Sequence, residues 1–172
     1  MQYDPRQTGT TPNPIEPTGF FTGIQFRPIL TGAVVDFIAS FVLAAFYYGF
    51  YVAPSSGASA AFEEEAAKYW LSSEGLAAGL LLGSLGTLIG GFYAAYKAGT
   101  LQMKHGALVG VVSILLGLFM HSGDSENQFP EWFVALSFAA AIPAGALGGF
   151  FAEMFAGMTG DKSSMNLFSK DG

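Results

Sequence analysis

Four long apolar runs, separated by polar or turn-forming residues, divide the chain. They lie at about 28–52, 74–97, 105–121 and 130–157. Each is close to or above the ~20 residues that an α-helix needs to cross the hydrocarbon of a bilayer. The pattern therefore predicts an all-α integral membrane protein with a four-helix transmembrane domain over residues 28–157.

Three segments fall outside the predicted spans. Residues 1–27 form a Pro- and Gly-rich arm in which several prolines forbid a continuous helix, and residues 158–172 form a short polar tail. The arm is either a disordered tail or a segment that lies on a partner. Ala58–Leu71 is predicted as a short interfacial helix in which Glu64 precedes Lys68 by four residues, the favourable order for an ion pair.

The ends of the first two spans carry helix-boundary signals. Pro54, followed by serines and Gly57, predicts the end of the first helix. Ser72 or Ser73 is expected to cap the second helix, with Glu74 at the positive end of its dipole.

Composition supports the membrane assignment and excludes several functions. Hydrophobic residues make up 51% of the chain and charged residues only 12%, whereas soluble domains carry about 25% charged residues. The absence of cysteine excludes disulfides and thiolate metal sites. A net charge of −6 argues against nucleic-acid binding, which needs a basic surface.

The basic residues predict an orientation. Six of the seven Lys and Arg residues fall on one side of a four-span chain: Arg6, Arg27, Lys97, Lys104, Lys162 and Lys170. Only Lys68 falls on the other side. The positive-inside rule therefore predicts that both termini are cytoplasmic and that Ala58–Leu71 lies outside.

The second and fourth spans share a sequence pattern. Gly86–Gly99 recurs as Ala144–Gly157, and in the odd spans Gly32–Val35 matches Gly106–Val109. The unit is thus a two-helix hairpin used twice in the same orientation. Such parallel repeats predict a pseudo-two-fold axis along the membrane normal, with the Gly-rich even spans near the axis.

Small residues recur at helical spacing along the spans and predict close helix packing in lipid. The predicted packing positions are Gly79, Gly83, Gly86, Gly90, Gly106, Gly110, Gly117, Gly145, Gly148 and Gly149. Pro143, near the middle of the fourth span, predicts a kink.

The stretch GGFYAAYKAG, a short basic turn and then HGALVG resembles the YrzE-like group of small four-span bacterial membrane proteins of unknown function. The resemblance covers roughly Leu80–Gly117. It implies a four-helix fold and a bacterial cytoplasmic (inner) membrane location. It implies no catalytic residue.

Two carboxylates lie inside apolar spans. Asp36 and Glu153 share helical stripes with small residues, so both are expected to face neighbouring helices. Lys97 and His105 are expected at the same level, which predicts an intramembrane polar cluster. The cluster is either a structural ion pair or a proton or cation site.

Candidate cofactor ligands are few. His105 or His121 could bind haem or a pigment, although both lie at span ends and interfacial histidines are the simpler interpretation. No metal-ligand spacing or catalytic motif occurs, so we expect no metal, no cofactor and no enzyme activity.

These patterns predict a non-catalytic accessory or assembly subunit that packs against lipids and against other membrane subunits or itself. The first alternative is a small ion or solute carrier with a midplane site at the repeat interface. The second alternative is a pigment- or haem-binding subunit.

Overall fold

A computed structural model describes residue 19 and residues 21–56, 62–121 and 129–165, and within these residues the chain is helical with no strand. The long helices are α1 (Phe26–Tyr47), α4 (Ser73–Ala98), α5 (Gln102–His121) and α6 (Glu131–Met165). Two shorter helices are α2 (Ala53–Ser56) and α3 (Phe62–Leu71). Most of the N-terminal arm, residues 122–128 and the last residues of the tail lie outside the described part.

Four segments are long and apolar enough to cross a membrane. They are Phe26–Val52, Ser73–Ala98, Gln102–Phe119 and Glu131–Thr159. The all-α architecture with four long apolar helices is therefore confirmed, and it is the architecture of an integral membrane protein. The orientation and the internal repeat stay predictions.

The first helix continues past the predicted stop. A π-helical turn (Tyr48–Val52) follows α1, and α2 adds one more turn that contains Pro54. Pro54 lies just after the π-helical turn, so its missing N–H falls where the regular α-helical hydrogen-bond pattern is already interrupted. The chain therefore stays helical through Ser56.

An aromatic contact holds α3 against the end of α1. The hydroxyls of Tyr47 and Tyr69 are 2.8 Å apart, and the Tyr47 ring also lies 6.3 Å from that of Trp70. Within α3, Lys68 Nζ lies 2.6 Å from Glu64 Oε1, which confirms the predicted pair. The predicted beginning of this helix, residues 58–61, lies outside the described residues.

Local caps set the ends of α4. Ser72 is the N-cap, and its hydroxyl accepts a hydrogen bond from the Gly75 amide at 3.1 Å. Gly99 ends the helix with φ 66°, a left-handed conformation that glycine adopts without strain. Such a cap allows the short turn that leads into α5.

The last helix is longer than predicted. α6 is continuous through Pro143 and extends to Met165, beyond the expected tail boundary near Gly157. Pro143 is exposed and faces away from the neighbouring helices, and a kink there stays a prediction.

The helix α4 is central to the bundle. It packs against α1, α5 and α6, while α6 packs against α4 and α5. A buried core of Ile29, Ala94 and Val109 joins α1, α4 and α5. This core lies at the end of the bundle where α1 begins, which we call the Gln25 end; the opposite end, which carries α3, is the α3 end.

Backbone contacts at glycines close the Gln25 end. A Cβ placed on Gly90 would lie 2.5 Å from the Gly32 carbonyl oxygen, and one placed on Gly91 would lie 2.5 Å from that of Gly145. Real Cβ atoms essentially never approach below 3.0 Å. The other predicted packing glycines at equally close crossings are Gly86, Gly106, Gly110, Gly145, Gly148 and Gly149.

Three predicted packing glycines do not make such contacts. A Cβ at Gly83 would meet nothing within 4 Å, and one at Gly79 would lie 3.8 Å from the Phe133 ring. A Cβ at Gly117 would lie 3.3 Å from the Phe138 ring. These glycines lie nearer the α3 end, where the backbones are farther apart and the helices line a partly open cavity.

We expect Gly91→Ala to destabilise the protein by about 1–3 kcal/mol, because its new methyl group forces α4 and α6 apart. Gly83→Ala has open space and should be neutral or stabilising by up to about 1 kcal/mol through helix propensity. Thermal unfolding in detergent, followed by fluorescence-detected size exclusion, measures both. Equal unfolding midpoints for the two variants would contradict the packing described here.

Candidate functional site: a hydroxyl-lined cavity around Asp36

Asp36 is a buried carboxylate on a membrane-spanning helix. It lies ten residues into α1, or about 15 Å along the helix axis, and only 5% of its surface is exposed. An ionisable side chain at such depth needs polar partners inside the protein.

Three hydroxyl groups supply those partners. Ser40 Oγ donates to Asp36 Oδ1 at 3.2 Å, and Thr87 Oγ1 lies 3.2 Å from both carboxylate oxygens. Ser113 Oγ donates to Oδ2. The donors come from α1, α4 and α5, so the carboxylate links three helices.

Glycines on α4 make this arrangement possible. A Cβ on Gly90 would lie 2.6 Å from the Asp36 Cβ, and a Cβ on Gly86 would overlap the Ser40 hydroxyl. The two glycines therefore leave the space that Asp36 and Ser40 occupy against α4. Any larger side chain there would push the carboxylate away from Thr87.

Two of the three hydroxyls have a second acceptor. Thr87 Oγ1 lies 3.1 Å from the Gly83 carbonyl oxygen, and Ser113 Oγ lies 3.0 Å from that of Val109. A hydroxyl carries one proton, so each can donate either to Asp36 or to its own helix. Rotation to the helix carbonyl would turn an oxygen lone pair towards the carboxylate.

A cavity of about 250 Å³ lies beside Asp36, between the four long helices. Its sixteen lining residues come from all four of those helices. The polar ones are Asp36, Ser40, Ser84, Thr87, Ser113 and Ser137. The glycine crossings at Gly90, Gly91 and Gly106 lie on the Gln25 side of this cavity, whereas Gly86 and Gly110 contact its lining residues Ser40 and Ala141.

The structure does not bring together the predicted polar cluster of Asp36, Lys97, His105 and Glu153. Among these described side chains no ion pair forms, and Asp36 bonds to hydroxyls instead. The reason is depth: Lys97 lies one residue from the end of α4, whereas Thr87 lies about 15 Å farther in. The Gly32–Gly90 crossing sets α1 at a register that places Asp36 at the Thr87 level.

His105 is fully buried and connects the start of α1 to α5. Its Nε2 accepts from the Gln25 backbone amide at 2.9 Å, and its Nδ1 lies 3.1 Å from the Leu101 carbonyl oxygen. These partners require the neutral tautomer with the proton on Nδ1. A haem or pigment at His105 would have to displace the Gln25 amide.

The other predicted residues lie at the periphery. Lys97 is exposed, with Nζ 5.9 Å from the centre of the Tyr93 ring, and Glu153 is exposed on α6. The side chain of His121 lies outside the described part. Among the described residues, no three His, Asp or Glu side chains are grouped to hold a metal ion.

Comparison with known proteins found no relative of this chain. The chain matches no family model, no curated protein and no solved structure. The resemblance to YrzE-like proteins therefore stays a prediction.

Sequence reasoning identified Asp36 but missed its partners. The spacing of Asp36 and Ser40, one helical turn apart, was a usable signal. Thr87 and Ser113 lie on other helices, and matching them to Asp36 required the helix register. The sequence alone gave no direct sign of that register.

We expect Thr87→Val to destabilise the protein by about 1–3 kcal/mol, because it removes a donor to a buried carboxylate at nearly constant volume. Ser84→Ala is the matched control: its hydroxyl lines the same cavity but donates to the Leu80 carbonyl of its own helix at 2.7 Å. It should change stability by less than about 0.5 kcal/mol. Thermal unfolding in detergent tests the pair, and a Thr87→Val protein as stable as wild type would refute the donor role.

Proposed function

We propose that this chain is a small membrane carrier of cations, with Asp36 as the group that binds the cation. The supporting observation is a carboxylate that is 5% exposed and borders a cavity between four membrane-spanning helices. Ionisable side chains inside membrane segments are costly, and they commonly mark the path of an ion or proton. A cation carrier gives the buried Asp36 carboxylate a direct role in binding.

The charge of the cavity favours a cation. Among the described residues that line the cavity, Asp36 is the one ionisable side chain, and the other polar residues carry hydroxyls. A carboxylate accepts hydrogen bonds and attracts positive charge, and hydroxyl oxygens are neutral ligands for a cation. An anionic solute would meet repulsion there with no basic group to offset it.

The hydroxyls allow the carboxylate to exchange partners. When a cation approaches Asp36, the hydroxyls of Thr87 and Ser113 can rotate and donate their hydrogen bonds to the carbonyls of Gly83 and Val109, which lie 3.1 Å and 3.0 Å away. Their lone pairs then face the cation. The bound cation therefore compensates Asp36 for the hydrogen bonds that it loses, and the hydroxyls of Thr87 and Ser113 still have acceptors.

The same cavity favours binding over covalent chemistry. The hydroxyls of Ser40, Ser84, Thr87 and Ser113 donate to Asp36 or to helix carbonyls. Among the described residues that line the cavity there is no imidazole, thiol or amine to activate a nucleophile. A lone carboxylate surrounded by hydroxyls can hold and release a cation or a proton.

Flux into vesicles tests the proposal. We expect purified protein in liposomes to carry cations down an imposed gradient, read with a pH dye inside the vesicles or a labelled cation. Asp36→Asn should reduce the flux to that of protein-free vesicles, because the amide is nearly isosteric but carries no charge.

Glu131→Gln is the control, since it also removes one carboxylate but lies exposed at the start of α6. It should retain wild-type flux. Equal flux for wild type and Asp36→Asn, or no flux above empty vesicles for a range of inorganic and organic cations, would exclude the carrier.

A second candidate is the accessory subunit predicted from the sequence. The observation that favours it is Glu153, an exposed carboxylate on α6 flanked by the exposed apolar side chains of Phe150, Phe151 and Met154. A partner chain that brings a basic group to this face would neutralise Glu153 and cover the aromatic surface.

Affinity purification of the tagged protein in mild detergent tests this candidate. We expect stoichiometric recovery of another membrane protein with wild type and its loss with Glu153→Arg, which reverses the charge on that face. Glu131→Arg makes the same change elsewhere on α6 and should keep the partner. Recovery of wild type alone would count against an accessory role.

A further inference from the structure

We infer that the Asp36 cavity binds a small organic ammonium ion, an alkyl- or arylalkylammonium with a short apolar group, rather than a bare metal ion. This inference rests on the proposed cation-binding function and narrows it to one chemical class.

The size of the cavity is the first reason. Its volume of about 250 Å³ corresponds to roughly eight water molecules at ~30 Å³ each. A single metal ion would occupy a small part of that space, whereas an ammonium ion with a short hydrocarbon group would occupy most of it.

The composition of the wall is the second reason. Ten of the sixteen lining residues are apolar: Ala33, Phe37, Gly79, Leu80, Gly83, Ile114, Leu116, Gly117, Phe138 and Ala141. Each buried methylene group contributes about 0.8 kcal/mol, so this wall favours a ligand with hydrocarbon. A hard metal ion prefers a shell of oxygen atoms instead.

The distribution of polar groups matches a ligand with one charged end. Asp36 and the three hydroxyls that contact it form a single polar site. An ammonium group placed there has up to three N–H donors for the carboxylate and the hydroxyl oxygens. Phe37 from α1 and Phe138 from α6 add aromatic rings to the wall, and rings of this kind attract alkylammonium ions.

The open space at Gly83 supplies a direct test. Gly83 lines the cavity, and a Cβ there would meet no atom within 4 Å. A leucine at this position would extend into the cavity without displacing a neighbouring backbone. It should therefore exclude an organic ligand while leaving Asp36 and its hydroxyls in place.

The experiment measures binding of phenethylammonium, butylammonium and sodium to the purified protein, by calorimetry at constant pH and ionic strength. We expect at least one of the two organic ions to bind wild type, sodium not to compete, and Asp36→Asn not to bind. Gly83→Leu should weaken binding about tenfold or more, which is about 1.4 kcal/mol. Gly49→Leu is the matched control, because Gly49 also has no atom within 4 Å of its Cβ position but lies in the π-helical turn outside the cavity; it should bind like wild type.

A second variant makes the result independent of how well Gly83→Leu folds. Phe138→Ala enlarges the cavity, so it should shift the ratio of affinities towards the larger ion, phenethylammonium, over butylammonium. An unchanged ratio, or wild-type affinity in a folded Gly83→Leu protein, would overturn the inference.

The outcomes separate the two proposals. Sodium binding or proton flux that depends on Asp36, with no binding of either organic ion, would refute the ammonium ligand and leave the cation carrier standing. If wild type and Asp36→Asn do not differ in binding of any cation or in flux, both proposals are refuted.

Discussion

The close approach of α1 to α4 is the contact on which the site depends. At Gly32 and Gly90 the two backbones are so near that a Cβ on Gly90 would lie 2.5 Å from the Gly32 carbonyl oxygen. In lipid no hydrophobic effect drives helices together, so close backbone packing has to supply the stabilisation. The same crossing sets the register of α1 and thereby the depth of Asp36.

Burial of Asp36 follows from that register. One turn beyond Gly32, the carboxylate meets Thr87 on α4 and Ser113 on α5, with Ser40 from its own helix. A buried carboxylate without hydrogen-bond donors would be costly, and the three hydroxyls supply those donors. Two of these hydroxyls can instead donate to a carbonyl of their own helix, so the hydrogen bonds around Asp36 can change. Stability and binding thus use the same atoms.

The change from tight to open packing creates the cavity. At the Gln25 end the glycine crossings close the bundle, and His105 joins the Gln25 backbone to α5. Towards the α3 end Gly79 and Gly83 have no backbone within reach, so small residues there leave space instead of closing it. One residue type therefore has two opposite roles along α4.

The sequence by itself determined the helical class and the positions of four apolar helices, because length, hydropathy and helix caps are local properties of the chain. It also showed that Asp36 is unusual, as a carboxylate inside an apolar span, and that glycines recur at helical spacing. It could not show that Gly90 packs while Gly83 lines a cavity, since both are small residues on one helix. The partners of Asp36 were decided by tertiary structure, because a register between helices depends on backbone contacts such as Gly32 with Gly90. Placing the carboxylate at the level of Lys97, where the sequence alone had suggested an ion pair, would have required a shift of about ten residues along α4.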